Sequence, residues 1–281
     1  MNMQVDFDRE RAWWDAKAPK ENVDFGGSDI NRALRWRELE RHLKGVRSIL
    51  DVGGGTGAFS IPLARRGFKV VHVDFSPEMI RIARRKAAGV RNLSFVEANS
   101  TDLSMFPDRS FDLVLNMDGA ITFCGSMAGR AIRESCRVTR KTLIAAVANR
   151  LLMIPIMAVA GLPRKMYKAL GPMVKEGLWH QDQFAENRKL GKGSTQDYFG
   201  AFKAFLPDEL EKAISACGLR VLRCGGLGSL AYLCQQQKVE SLPDKGRIYR
   251  RFLDLCEEFD RLMPGGPGTR QRAGLIAVAR R

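Results

Sequence analysis

The stretch LDVGGGTG, residues 50–57, constrains this chain more than any other. An apolar run, VRSILDV, leads into it and SIPLARRG leads out. This is a strand, a glycine bend and a helix. Glycine there lets the backbone take positive φ and lets a ligand approach with no Cβ in the way. Thr56 and Ala58, at the helix start, offer N–H groups that no helical carbonyl takes. Spacing alone leaves the ligand open. Gly53-x-Gly55-x-x-Ala58 matches a dinucleotide fingerprint, and Asp74 lies roughly 20 residues further on, as that fingerprint requires. A phosphate loop is excluded, because no G-x-x-x-x-G-K-[ST] is present.

The rhythm around this bend sets the fold class. FKVVHVDF reads as a second strand, LSFVEA a third, SFDLVLNM a fourth and RKTLIAAVAN a fifth. Between them lie SPEMIRIARRKAAG, with Ser76 as N-cap, Pro77 at the first helical position and Gly89 as stop, and the helix GSMAGRAIRESCRVT. LPDELEKAISACGLRVLRCGG gives another helix and strand, and AGLIAVARR a last strand. Strands alternating with helices through short loops predict an α/β fold, a doubly wound and mostly parallel seven-stranded sheet. Residues 1–45 read as N-terminal helices, with Leu34, Leu39 and Leu43 on one face and Trp13 and Trp14 in an earlier helix. The core spans 46–149 and 206–281. It is interrupted at 150–205 by a mostly helical, strandless cap and at 229–270 by a second, helical insertion.

Composition excludes several classes. The net charge is +15, but the excess is spread along the chain, with no basic tail and no aromatic-interleaved RNA-binding signature. Solvated surface is the plain reading, with attraction to an anionic partner as the other. DNA is not expected as a partner and RNA is disfavoured. The six cysteines form no C-x-x-C pair, and the three histidines are far apart, so no metal site is expected. A reduced, cytoplasmic protein follows from this cysteine usage. The N-terminus is too charged for a signal peptide. LLMIPIMAVAGLP, at 151–163, falls short of the about 20 residues that span a bilayer. It predicts a pocket-covering helix, with shallow membrane contact left open.

Three runs together resemble the class I S-adenosylmethionine-dependent methyltransferases over residues 46–148. They are LDVGGGTG, VVHVDFSPEMIRIAR, and FVEANSTDLSMFPDRSFDLVL, the last close to that family's GDAxDLPFPDxSFDLV. The resemblance implies a Rossmann-like methyltransferase sheet that binds S-adenosylmethionine and releases S-adenosylhomocysteine. Position by position it implies that Gly53, Gly55 and Gly57 pass beneath the methionine part, with Asp51 near the ammonium and loop. Asp74 would accept both ribose hydroxyls, and Phe75 would flank adenine. Asn99 and Ser100 would run along the adenine edge, although the family often has Asp where Asn99 stands. Asn116 and Asp118 end strand four, under the methyl group. The run there is NMDG rather than [DN]-P-P-[YF], which argues against methylation of exocyclic base amines.

The cap is rich in methionine and aromatic residues, which suits a pocket for an apolar or aromatic small molecule and is similar to the ubiquinone/menaquinone-biosynthesis type. The expected activity is methyl transfer to an O, N or S nucleophile of such an acceptor. His180, beside Asp182 in WHQDQF, and Asp118 are the candidate catalytic groups. Trp14, Tyr167, Trp179 and Tyr198 are candidate substrate contacts. His72, mid-strand, reads as core. Two other classes stay open, an RNA or protein methyltransferase and a noncatalytic S-adenosylmethionine-binding protein. The oligomeric state is not legible.

Overall fold

A computed structural model describes residues 5–20, 28–117, 119–151, 166–179, 200–228, 246–262 and 274–281. A seven-stranded sheet forms its centre, with β1 (Ser48–Val52), β2 (Lys69–Asp74), β3 (Leu93–Glu97), β4 (Phe111–Asn116) and β5 (Thr139–Ala148) all parallel. After a short pair, β6 (Leu178–Trp179) and β7 (Phe202–Lys203), come β8 (Arg220–Leu227) and β9 (Gly274–Arg280). The order across the sheet is β3-β2-β1-β4-β5-β9-β8, and β9 runs antiparallel to both neighbours. The fold expectation therefore holds, strand count included. The cap stretch departs from its reading, because β6 and β7 pair there as an antiparallel ribbon, Trp179 facing Phe202.

The strands are buried on both faces, which is why they read as apolar runs rather than alternations. Their side chains sort into two cores. Leu50, Val52 and Val114 pack with α5 (Ala128–Val138) and α7 (Pro207–Ser215) on one face. Ile49, Leu113 and Leu115 pack on the other with α2 (Ser28–Glu40), α3 (Ser60–Arg65) and α8 (Arg247–Leu262). α6 (Met166–Glu176) precedes β6.

α1 (Phe7–Lys17) and α4 (Pro77–Lys86) meet through a cap made between them. Ser76 Oγ accepts from Met79 N at 3.1 Å, as its N-cap position predicts. The same hydroxyl donates to Asp15 Oδ1 of α1 at 2.5 Å, and Glu78 N donates to that oxygen at 3.3 Å. Further along α1, buried Glu10 accepts the backbone N–H of Ala201 at 2.6 Å. α1 is thus fastened at two points, beside the carboxyl ends of the strands.

Candidate active site

The chain leaves β1 toward β2 and β3, then crosses back to place β4 on the other side of β1. Loops diverge at such a switch point and leave a crevice at the carboxyl ends of the strands. Here the crevice is a cavity floored by Gly53, Gly54 and Gly55 and walled by Asp74, Phe75, Asn99 and Ser100. Phe7 and Trp14 of α1, Met79 of α4 and Phe123 close it. Trp14 meets Phe123 edge-on at 4.9 Å and Trp13 at 4.8 Å.

The glycine loop is held from below. Gly53 N and Gly54 N both donate to Val73 O of β2, at 2.8 and 3.0 Å. Gly55 sits at φ +55°, and a Cβ built on it would meet nothing within 4 Å. The loop therefore presents bare backbone to open space at this point. Gly57, expected with the other glycines, lies outside the wall of this cavity and packs toward Ile61 instead.

Asp74 ends β2 and is 7% exposed. Its Oδ2 accepts Gly55 N at 2.9 Å, and its Oδ1 accepts Ser76 N at 2.9 Å. Burial pushes its carboxyl up to about 6, opposed by those backbone N–H groups and assisted by the nearby Asp15 carboxylate. A carboxylate oxygen has two lone pairs, so each retains one toward the cavity.

Under the loop lies a buried polar chain. Asp51 and His72 are register partners on β1 and β2. Ser60, the first residue of α3, bridges them, donating to Asp51 Oδ2 at 2.5 Å and lying 2.7 Å from His72 Nδ1. The hydroxyl has one proton, given to the carboxylate. His72 must then donate from Nδ1 to Ser60, which leaves Nε2 unprotonated and without a hydrogen-bond partner. Burial holds His72 down to about 4, so the ring is neutral. His72 is a core residue, as its mid-strand position suggests. Asp51, expected beside a ligand ammonium, lies beneath the loop and not in the cavity wall.

The remaining expected residues divide. Asn99 lines the cavity, but its Oδ1 accepts both Thr101 N at 3.0 Å and Thr101 Oγ1 at 2.9 Å. Only its amide N–H groups are left for a ligand. Ser100 lines the cavity and ties two loops together, its hydroxyl lying 3.2 Å from Ala120 O and 3.1 Å from Cys124 Sγ. Burial pushes the Cys124 thiol up to about 12, which keeps it protonated. Asn116 is fully buried and spends its Oδ1 on Ile121 N at 3.2 Å, turning the chain after β4 rather than facing the cavity. Trp14 lines the cavity, whereas Trp179 does not, because it stacks on Phe202 across β6 and β7 at 6.0 Å. Asp118, His180 and Tyr198 lie outside the described residues, as does the side chain of Tyr167.

Sequence reasoning missed Phe7, Phe123 and Arg32 in the wall. A phenylalanine or arginine in a surface helix reads as packing or solvated charge, and only the tertiary path of α1 and α2 brings them to the crevice.

Comparison with known proteins gives the same answer. Residues 49–142 match the family model described as a methyltransferase domain. The magnesium-protoporphyrin O-methyltransferase of Rhodobacter capsulatus is 35% identical over 126 residues, 44% of this chain and 54% of that protein. The demethylmenaquinone methyltransferase of Renibacterium salmoninarum is 32% identical over 136 residues, 47% of this chain and 55% of that protein. The match thus spans about half the length of these curated relatives. Among solved structures, the 1,6-didemethyltoxoflavin-N1-methyltransferase of Burkholderia thailandensis, bound to 1,6-didemethyltoxoflavin and S-adenosylhomocysteine, superposes with a TM-score of 0.55. It is 14% identical, and the superposition covers 96% of this chain and 86% of that one, a likeness of fold. With motifs, strand order and family match in agreement, residues 49–142 are a methyltransferase domain of the class I, S-adenosylmethionine-dependent type.

Proposed function

We propose that this chain binds S-adenosylmethionine in the crevice described above and transfers its methyl group to an oxygen, nitrogen or sulfur nucleophile of a small apolar or aromatic molecule. The observation that carries this reading is Asp74. It is a buried carboxylate at the end of β2, each oxygen bonded to one backbone N–H and still able to accept from the cavity. That is the donor–acceptor complement of a ribose diol, and the open space above Gly55 is where the bare loop admits the rest of the ligand.

When bound, the sulfonium supplies a methyl carbon already activated for displacement. The chain then needs to orient two partners and exclude water. Trp14, Phe7 and Phe123 form an apolar rim suited to the second task. Holding an acceptor in line can contribute roughly 7–11 kcal/mol in the best intramolecular cases. An acceptor that must lose a proton requires a base, and His180 and Asp118 are the groups proposed for it. The apolar rim favours an aromatic or quinone-like acceptor. So do the names of the relatives, which act on protoporphyrin and demethylmenaquinone.

Calorimetry with S-adenosylhomocysteine tests the reading. The wild-type chain should bind it, and Asp74→Ala should weaken it by about tenfold or more, the value of a charged hydrogen-bond acceptor. Affinity should also rise with pH through about 6, because only the ionised Asp74 accepts from both hydroxyls. Asp74→Asn should flatten that rise. Wild-type binding of NADH with no binding of the sulfonium nucleosides would overturn the reading.

A further inference from the structure

Arg32 has a charge that the protein itself does not answer. It is carried on α2 and lines the same cavity as Gly55 and Asp74. Its Nε is sealed from solvent and has no hydrogen-bond partner. Among the described residues no carboxylate forms an ion pair with it. Its neighbours differ. Arg37, on the same helix, pairs with Asp254 at 2.8 Å. Arg41, just beyond, pairs with Glu257 at 2.8 Å and with Glu38 at 3.0 Å. The carboxylate in the cavity wall, Asp74, is turned to Gly55 N and Ser76 N instead.

A part-buried guanidinium without a counter-charge is costly to keep, and breaking such a pair by removing one partner is strongly destabilising. A fork of N–H donors facing a cavity is matched best by a planar carboxylate. We infer that Arg32 is a carboxylate anchor: the cavity takes a ligand with hydroxyls at its Asp74 end and a carboxylate at its Arg32 end. This rests on the S-adenosylmethionine reading, whose amino-acid part carries such a carboxylate. An acceptor carboxylate is the other source of the same chemistry.

The test uses the full chain and three probes. S-adenosylhomocysteine carries the carboxylate, and 5′-methylthioadenosine lacks the amino-acid part. Benzoate, added to protein saturated with S-adenosylhomocysteine, stands for an acceptor carboxylate. Arg32→Met should weaken S-adenosylhomocysteine by about tenfold or more while leaving methylthioadenosine within about twofold, which also shows the variant folded. Arg32→Lys, with charge but no fork, should fall between. If S-adenosylhomocysteine binding is unchanged but benzoate binding is lost in Arg32→Met, the anchor holds and the carboxylate belongs to the acceptor. Equal weakening of S-adenosylhomocysteine and methylthioadenosine, or no change with any probe, overturns the anchor. Failure of the wild-type chain to bind either nucleoside overturns the S-adenosylmethionine reading instead.

Discussion

Gly54 and His72 share one volume. A Cβ built on Gly54 would fall 2.4 Å from His72 Nδ1 and 3.1 Å from Asp51 Oδ2. The backbone of Gly54 lies outside the left-handed region, so an alanine could adopt its dihedral angles. The obstacle is the imidazole beneath. Gly54→Ala should therefore lift the loop and cost about 1–3 kcal/mol, the usual range for overpacking. His72→Ala should carry its own cost by emptying a buried space. The double variant should cost less than the sum of the two, because the second change removes the clash made by the first. Urea denaturation of the four proteins measures the coupling, and strict additivity would show that ring and loop do not press on one another. The middle glycine is thus legible in sequence as part of a ligand loop, but its reason is not. The partner that excludes a side chain sits on the next strand, where a histidine between valines reads only as core.

Elements show the same division between local and distant causes. The glycine bend, the Ser76-Pro77 helix start and the buried parallel strands are legible because each is set within a few residues. Ser76 caps α4 in the way its position predicts. The partner of that cap is not legible, because Asp15 lies 61 residues away in sequence. Likewise the strands β6 and β7 are two residues each, too short for any alternation to register. Asn116 and Asp51 were placed at the right strand ends. Their side chains face the protein rather than the crevice, a difference that the strand's own pattern does not encode. α1 supplies Phe7 and Trp14 to the cavity and is held by Asp15 at α4 and by Glu10 at Ala201. Asp15→Ala should cost about 0.5–2 kcal/mol, as loss of a capping carboxylate does. It should also free the tryptophan end of the helix. Intrinsic fluorescence should shift toward that of exposed tryptophan, and limited proteolysis should cut first within α1. An unaltered spectrum and cleavage pattern would mean that packing, not this hydrogen bond, seats the helix.

At the scale of the whole molecule, charge and topology act together. Glu38 of α2 is buried and accepts from Arg41 at 3.0 Å and from Arg223 of β8. Burial pushes its carboxyl up, but the charge of Arg223 and its other partners outweigh that and hold it below the usual range. With Arg37–Asp254 and Arg41–Glu257, this network ties α2, α8 and β8 into one unit on the face opposite α5. Part of the positive charge that composition left open to an anionic partner is consumed here, inside the fold. The sheet order adds a further dependence: β8 reaches the rest of the sheet only through β9, which lies between it and β5. A ribosome must therefore deliver residues 274–280 before β8 can find its place, and until then the β5 edge is an open template for other chains. Deleting 274–281 should remove two strands rather than one, and the shortened chain should emerge as aggregate in a pelleting assay while the full chain stays in the supernatant.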